Sequence, residues 1–262
     1  MTSPAVPPIL PPGVMLARDA WRLGVGAIRA MPNLFGGTFV LLLVFELAFR
    51  WRHPPSDGWP SMSELLLGFA NDLASDVIAA AAMVAVHRSI LLGEGADRPV
   101  WRLPPGYDRY LGRLVALSLP SLAATAALGL VDGRDAAPAF ALAALILVLL
   151  ATAAVVVSVR LALALPLAAA DVPGAGWRTA WEASRGKGWR LFGIVLLTFV
   201  PMEAAAMLVA GLFQSADGLA AVLLDSLGAA AKALLWAAIG AALWSRLLQA
   251  YGGALARPPV WR

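Results

Sequence analysis

Apolar residues gather into six long runs, Asn33–Phe49, Ser63–Val86, Tyr110–Val131, Ala137–Leu165, Leu191–Phe213 and Gly218–Leu248. A helix crosses a bilayer with ~20 mostly apolar residues, so each run is long enough for one span. None alternates apolar and polar positions, which predicts membrane helices and not barrel strands. Between them stand turn-forming clusters: His53-Pro54-Pro55-Ser56-Asp57-Gly58, Pro104-Pro105-Gly106, Asp132-Gly133-Arg134-Asp135 and Asp171-Val172-Pro173-Gly174. Such clusters end helices at bilayer edges.

Two further segments read as amphipathic helices lying on the membrane surface. In 14–31, Arg18, Arg22 and Arg29 fall within roughly a 40° arc, with Ala17, Trp21, Ile28 and Met31 spread over the apolar side. In 174–190, Arg178, Glu182 and Arg185 share a face beside Trp177 and Trp181. Either a lipid-binding or signalling role or a plain surface brace fits such helices. Residues 1–13 hold five prolines and read as an unstructured tail, since a signal peptide needs a continuous apolar helix there.

Self-similarity organises the runs further. The first begins Leu34-Phe35-Gly36 and the fifth Leu191-Phe192-Gly193, and an acid follows each glycine by ten residues, Glu46 and Glu203. Upstream, Arg18-Asp19-Ala20-Trp21 echoes Arg178-Thr179-Ala180-Trp181. The third run begins Tyr110-Leu111-Gly112, and Pro120 follows its glycine as Pro201 follows Gly193. The even runs end on His87-Arg88, Val159-Arg160 and Ser245-Arg246. Three units at about 14–94, 105–171 and 174–252 are expected, each a surface segment plus a hairpin, related by an axis along the membrane normal. The domain plan is thus a tail at 1–13, one six-helix, all-α domain at 14–252, and a cytoplasmic tail at 253–262.

Composition agrees: 60% of the 262 residues are hydrophobic and 14% charged, against ~45–50% and ~25% in soluble domains. The mean hydropathy is +0.77. A disordered chain, a nucleic-acid-binding domain and an ordinary soluble enzyme are excluded. The basic pI of about 10.1 has another origin, because arginine and lysine are concentrated on one side of the runs. Fifteen stand there (Arg18, Arg22, Arg29; Arg88, Arg98, Arg102, Arg109, Arg113; Arg178, Arg185, Lys187, Arg190; Arg246, Arg257, Arg262), against Arg50, Arg52 and Arg134 opposite. The positive-inside rule then puts both termini in the cytoplasm. Lysine is otherwise confined to Lys232; this alanine-rich, lysine-poor usage suggests a bacterium with a GC-rich genome, and the expected location is its inner membrane. Nine of ten tryptophans fall near predicted interfaces, where amphipathic rings are favoured; Trp236 alone sits deep.

Ionisable residues within spans are costly, at least ~2.5–3.5 kcal/mol each at mid-bilayer, and therefore mark the place to look for function. They are Glu46, Asp72, Asp76, Glu203, Asp225 and Lys232, with Asn71 beside them. All the acids fall in the outer half. They form either a polar cavity that binds a cation or proton, with Lys232 as counter-charge, or interhelical pairs such as Lys232 with Asp72 or Asp76. Arg88, Arg160 and Arg246 at the ends of even helices either snorkel to phosphate or ring one anionic lipid or substrate. Pro120 and Pro201 are expected to bend their helices.

Catalytic patterns are missing: there is no cysteine, no HExxH, GxSxG or Walker A motif, and His53 and His87 lie a membrane thickness apart. No catalytic residue, cofactor or metal site is expected. The stretch Arg160-Leu-Ala-Leu-Ala-Leu-Pro166-Leu-Ala-Ala-Ala-Asp171, followed by Ala180-Trp181-Glu-Ala-Ser184-Arg-Gly-Lys-Gly-Trp189-Arg190-Leu-Phe-Gly193, resembles a bacterial six-helix family. That family includes the membrane domain of some glycerophosphoryl diester phosphodiesterases and the YciC-like proteins. The resemblance implies a fold and no activity, because the phosphodiesterase domain has no counterpart here. The expectation is a non-enzymatic membrane protein that binds membrane lipid or a protein partner, not nucleic acid, at its basic cytoplasmic face. The alternative is a small-solute or proton-coupled transporter using the intramembrane acids.

Overall fold

The computed structural model describes residues 12–53, 61–94, 97, 99, 101–130, 138–212 and 218–251. They form nine helices and no strand among the described residues. These are α1 (Gly13–Ala30), α2 (Pro32–Arg52), α3 (Met62–Leu92), α4 (Tyr107–Leu130), α5 (Pro138–Leu161), α6 (Ala164–Ala169), α7 (Trp177–Ala183), α8 (Gly188–Leu212) and α9 (Gly218–Tyr251). The expected tails, apart from Pro12 and Gly13, and the Asp132–Asp135 turn lie outside the described residues.

Local chemistry explains several boundaries. Pro32 has no N–H to give to α1, so it starts a new helix at its first position. Ser61 and Glu64 cap α3 reciprocally, and Gly93 ends it in the left-handed region at φ 68°. The start of α2 is capped from a distance: Asp97 accepts from the backbone N–H groups of Asn33 (3.0 Å) and Leu34 (3.1 Å). Its charge also faces the positive end of the helix. Asp97→Ala is therefore expected to cost about 1 kcal/mol, the worth of a lost N-cap, measurable as a lowered midpoint of denaturant unfolding in detergent.

The solvent this fold suits is legible in what faces out. Small side chains fill the interior: Ala82 and Ala85 of α3 pack with Ala238, Ala241 and Ala242 of α9, and Ala80 packs toward α4 and α6, all buried. Val40, Leu41, Val44, Leu149, Leu150 and Leu208 are about half exposed or more. A bundle in water would reverse that order; in lipid, small residues let helices approach while large apolar ones meet acyl chains. Among the described residues, five helical stretches, 32–52, 62–92, 148–169, 188–211 and 218–251, are long and apolar enough to cross a membrane. The third run, Tyr110–Val131, forms α4, whose first two turns hold Asp108, Arg109 and Arg113; among the described residues it is not one of the five. Pro120 and Pro201 sit inside α4 and α8.

Both amphipathic segments depart from expectation. Helix α1 forms as predicted, but its apolar side is spent on protein: Leu16, Ala20, Gly24 and Ala27 are buried, and the helix packs on α8 and α9. Trp21 Nε1 donates to the carbonyl of Thr198 at 3.0 Å, ten residues into α8. Small residues on that stripe let the two backbones meet, so α1 belongs to the bundle and does not merely lie on its surface. In 174–190 only α7 is helical before the turn at Ser184–Lys187, where Gly186 takes φ 72°. Arg178 and Glu182 do share a face there, paired at 2.9 Å.

Candidate functional site

Up-and-down connections bring the beginnings of α2, α4 and α8 and the ends of α3, α5 and α9 to one end of the bundle, called here the basic end. The intramembrane acids lie in the other half. Glu46, six residues before the end of α2, is 3% exposed. One carboxylate oxygen, Oε1, accepts from Asn71 Nδ2 (3.2 Å) and Ser75 Oγ (3.0 Å) of α3. One turn later on α2, Arg50 places Nε 3.7 Å from Glu46 Oε2 and Nη1 3.8 Å from Asp225 Oδ2 of α9.

A second polar group joins α8 to α9. Glu203 Oε2 pairs with Lys232 Nζ at 2.8 Å, and its Oε1 accepts from Trp236 Nε1 at 2.8 Å. The Trp236 ring stacks on Phe199, with centroids 3.5 Å apart. Lys232 thus pairs with Glu203 and not with Asp72 or Asp76, because α8 and α9 are hairpin neighbours. Asp72 nevertheless lies within electrostatic reach of Lys232, Glu46, Arg50 and Glu203, and Asp76 within reach of Asp72 and Tyr110. The structure therefore gathers all six predicted polar residues into one half and adds Arg50, Ser75 and Trp236. Arg50 could have been found, since it stands four residues after Glu46, the spacing that puts two side chains on one face.

At the basic end the three helix-end arginines do not converge on a shared anion; each has its own partners. Arg88, buried, donates Nε and Nη2 to the Glu94 carboxylate (2.7 and 2.6 Å) and Nη1 to Ala169 O (2.9 Å). Arg160 stacks over Trp181 at 3.4 Å and donates to Ser184 Oγ and Trp181 O. Arg246 bonds Asp19 Oδ2 (3.2 Å) and Gln249 Oε1 (2.7 Å). Behind them, fully buried His87 places Nδ1 2.8 Å from Ser245 Oγ and Nε2 3.4 Å from the Tyr110 hydroxyl, tying α3 to α9 and α4. The apolar run ends at Val86, which makes His87 read as a helix end; α3 continues to Leu92 and encloses it.

A cleft of about 650 Å³ opens between α1 and the last turns of α3 and α9. Its lining includes Arg22, Arg246, Gln249 and Ser89 around Met31 and Ile90. Arg22 is exposed, and Arg246 Nε is buried without a hydrogen-bond partner. Cationic side chains beside an apolar floor can take an anionic headgroup together with the start of its acyl chain. No three His, Asp or Glu side chains converge on a metal-sized site among the described residues. Compared with protein-family models, curated proteins and solved structures, the chain matches none.

Proposed function

We propose that this is a non-enzymatic, six-span protein of a bacterial inner membrane, with both termini cytoplasmic, that binds anionic lipid in the cleft between α1, α3 and α9. The single observation that carries this reading is the lining of that cleft, Arg22 and Arg246 over Met31 and Ile90, at the end richest in arginine. Its likeness to the six-helix family extends to the fold alone. The three-unit plan belongs to the same proposal and has support at the basic end. Arg160 of the second unit reaches Trp181 of the third, and Arg246 of the third reaches Asp19 of the first. Trp181 and Asp19 fall within the echoed Arg178–Trp181 and Arg18–Trp21 segments, whose alanines, Ala180 and Ala20, are both fully buried.

Native mass spectrometry of the protein extracted with its lipids tests the lipid reading. Wild type is expected to retain anionic phospholipid over a neutral lipid of the same chains. A basic residue near the headgroup plane contributes ~1 kcal/mol, so Arg22→Ala should lower retention about fivefold and Arg22→Ala with Arg246→Ala about thirtyfold. Retention unchanged in Arg22→Ala, whose side chain is exposed, would refute the assignment.

A further inference from the structure

The acid-bearing half contains buried polar atoms that the fold leaves without a hydrogen bond. Glu46 is 97% buried by its 3% exposure, and while Oε1 holds α3, Oε2 has no hydrogen-bond partner. Asn71 Oδ1 beside it is buried and likewise without a donor. Arg50 Nε, 3.7 Å from Glu46 Oε2, is too distant for a hydrogen bond and has no acceptor. Two acceptors, one of them charged, thus stand next to one cationic donor, all in a low-dielectric surrounding where unpaired polar atoms are expensive.

Simple ligands leave part of this set unmatched. A lone cation would satisfy Glu46 Oε2 and Asn71 Oδ1 but be repelled by Arg50; a lone anion would satisfy Arg50 and leave both acceptors. A zwitterion with N–H donors on its cationic end matches all three atoms. One attached to acyl chains fits, because Arg50 stands in the last turn of α2 and is 31% exposed, at the level where a span-ending arginine meets lipid phosphate. We propose that the Glu46–Arg50–Asn71 site binds a phosphoethanolamine group, its primary ammonium donating to Glu46 Oε2 and Asn71 Oδ1 and its phosphate accepting from Arg50 Nε. This site is separate from the arginine-lined cleft, and the two readings stand or fall independently.

Phosphatidylethanolamine and phosphatidylcholine with identical chains are the probes, since trimethylation removes every N–H donor and changes little else. The full chain, in detergent micelles doped with equal amounts of both, is expected to retain the ethanolamine lipid roughly tenfold better in native mass spectra, the worth of one charge-assisted hydrogen bond. Glu46→Gln should bring that ratio near one, while Arg22→Ala leaves it alone. Soluble phosphoethanolamine that displaces the lipid would show that the free zwitterion is also a ligand; failure to displace it with the preference intact would assign the site to the lipid-borne group. Equal retention of the two lipids by wild type, a measurement that needs no variant, would overturn the proposal. So would an undiminished preference in folded Glu46→Gln.

Discussion

Arg88→Ala is expected to lower the unfolding free energy by about 2–3 kcal/mol, the scale of losing a charged hydrogen bond and leaving a buried carbonyl unsatisfied. The reason lies in α6, a helix of six residues, all buried. A helix that short satisfies few of its own carbonyls, and water does not reach them. Arginines supply the donors instead: Arg88 Nη1 bonds Ala169 O at the last turn, and Arg113 bonds Ala164 O (2.5 Å) and Ala175 O (2.7 Å). Arg109 adds an ion pair to Asp171 at 2.6 Å, where the chain turns through φ 57°. Truncating Arg88 orphans Ala169 O and leaves Glu94, 45% exposed, to solvate itself. Arg88→Lys should recover only part of the loss, since an ammonium cannot present the two-pronged face to Glu94 and a third donor to Ala169 at once. Reversible unfolding in mixed micelles, followed by circular dichroism, measures both variants. A loss below about 1 kcal/mol for alanine would mean that α6 does not depend on this guanidinium.

These contacts show where sequence reasoning reaches and where it stops. Helix positions follow from apolar runs because, in lipid, a backbone must bond within its own segment; five of the six runs became helices long and apolar enough to span. The polar residues inside runs were visible for the same reason: Glu46, Asp72, Asp76, Glu203, Asp225 and Lys232 are conspicuous against apolar neighbours. Pairing was not visible. Which acid meets Lys232 depends on which helices adjoin, and α8 with Glu203 is the hairpin partner of α9. The break after α7 is equally non-local, since Ser184 is held by Trp181 O and by Arg160 from α5. Arg50 lies at the edge of its run, where an arginine ordinarily snorkels, and only the burial of Glu46 turns it inward. The role of α1 was misread because its arginine arc is conspicuous while the stripe opposite, Ala20, Gly24 and Ala27, is made of residues too small to signal a contact.

That stripe gives the second large effect. A Cβ built on Gly24 would stand 2.9 Å from the Cα and 3.0 Å from the backbone nitrogen of Ile239 on α9. Flexible side chains could yield to such a contact, but here the obstacle is another helix backbone. Gly24→Ala must therefore push α1 off α9 and is expected to cost about 2–3 kcal/mol, in the upper part of the overpacking range. Gly26 provides the control two residues away, because a Cβ there meets nothing within 4 Å. Gly26→Ala should be neutral or stabilise by up to ~1 kcal/mol through helix propensity alone. The comparison separates packing from propensity, since the same change in the same helix has opposite expected signs. It also links fold to function: α1 supplies Arg22 and Leu23 to the cleft, so a displaced α1 should lose anionic lipid even with every arginine intact. Thermal unfolding and lipid retention measured on the two variants together test this coupling. Wild-type stability in Gly24→Ala would show that α1 is not anchored through this contact, and the cleft would then need another wall.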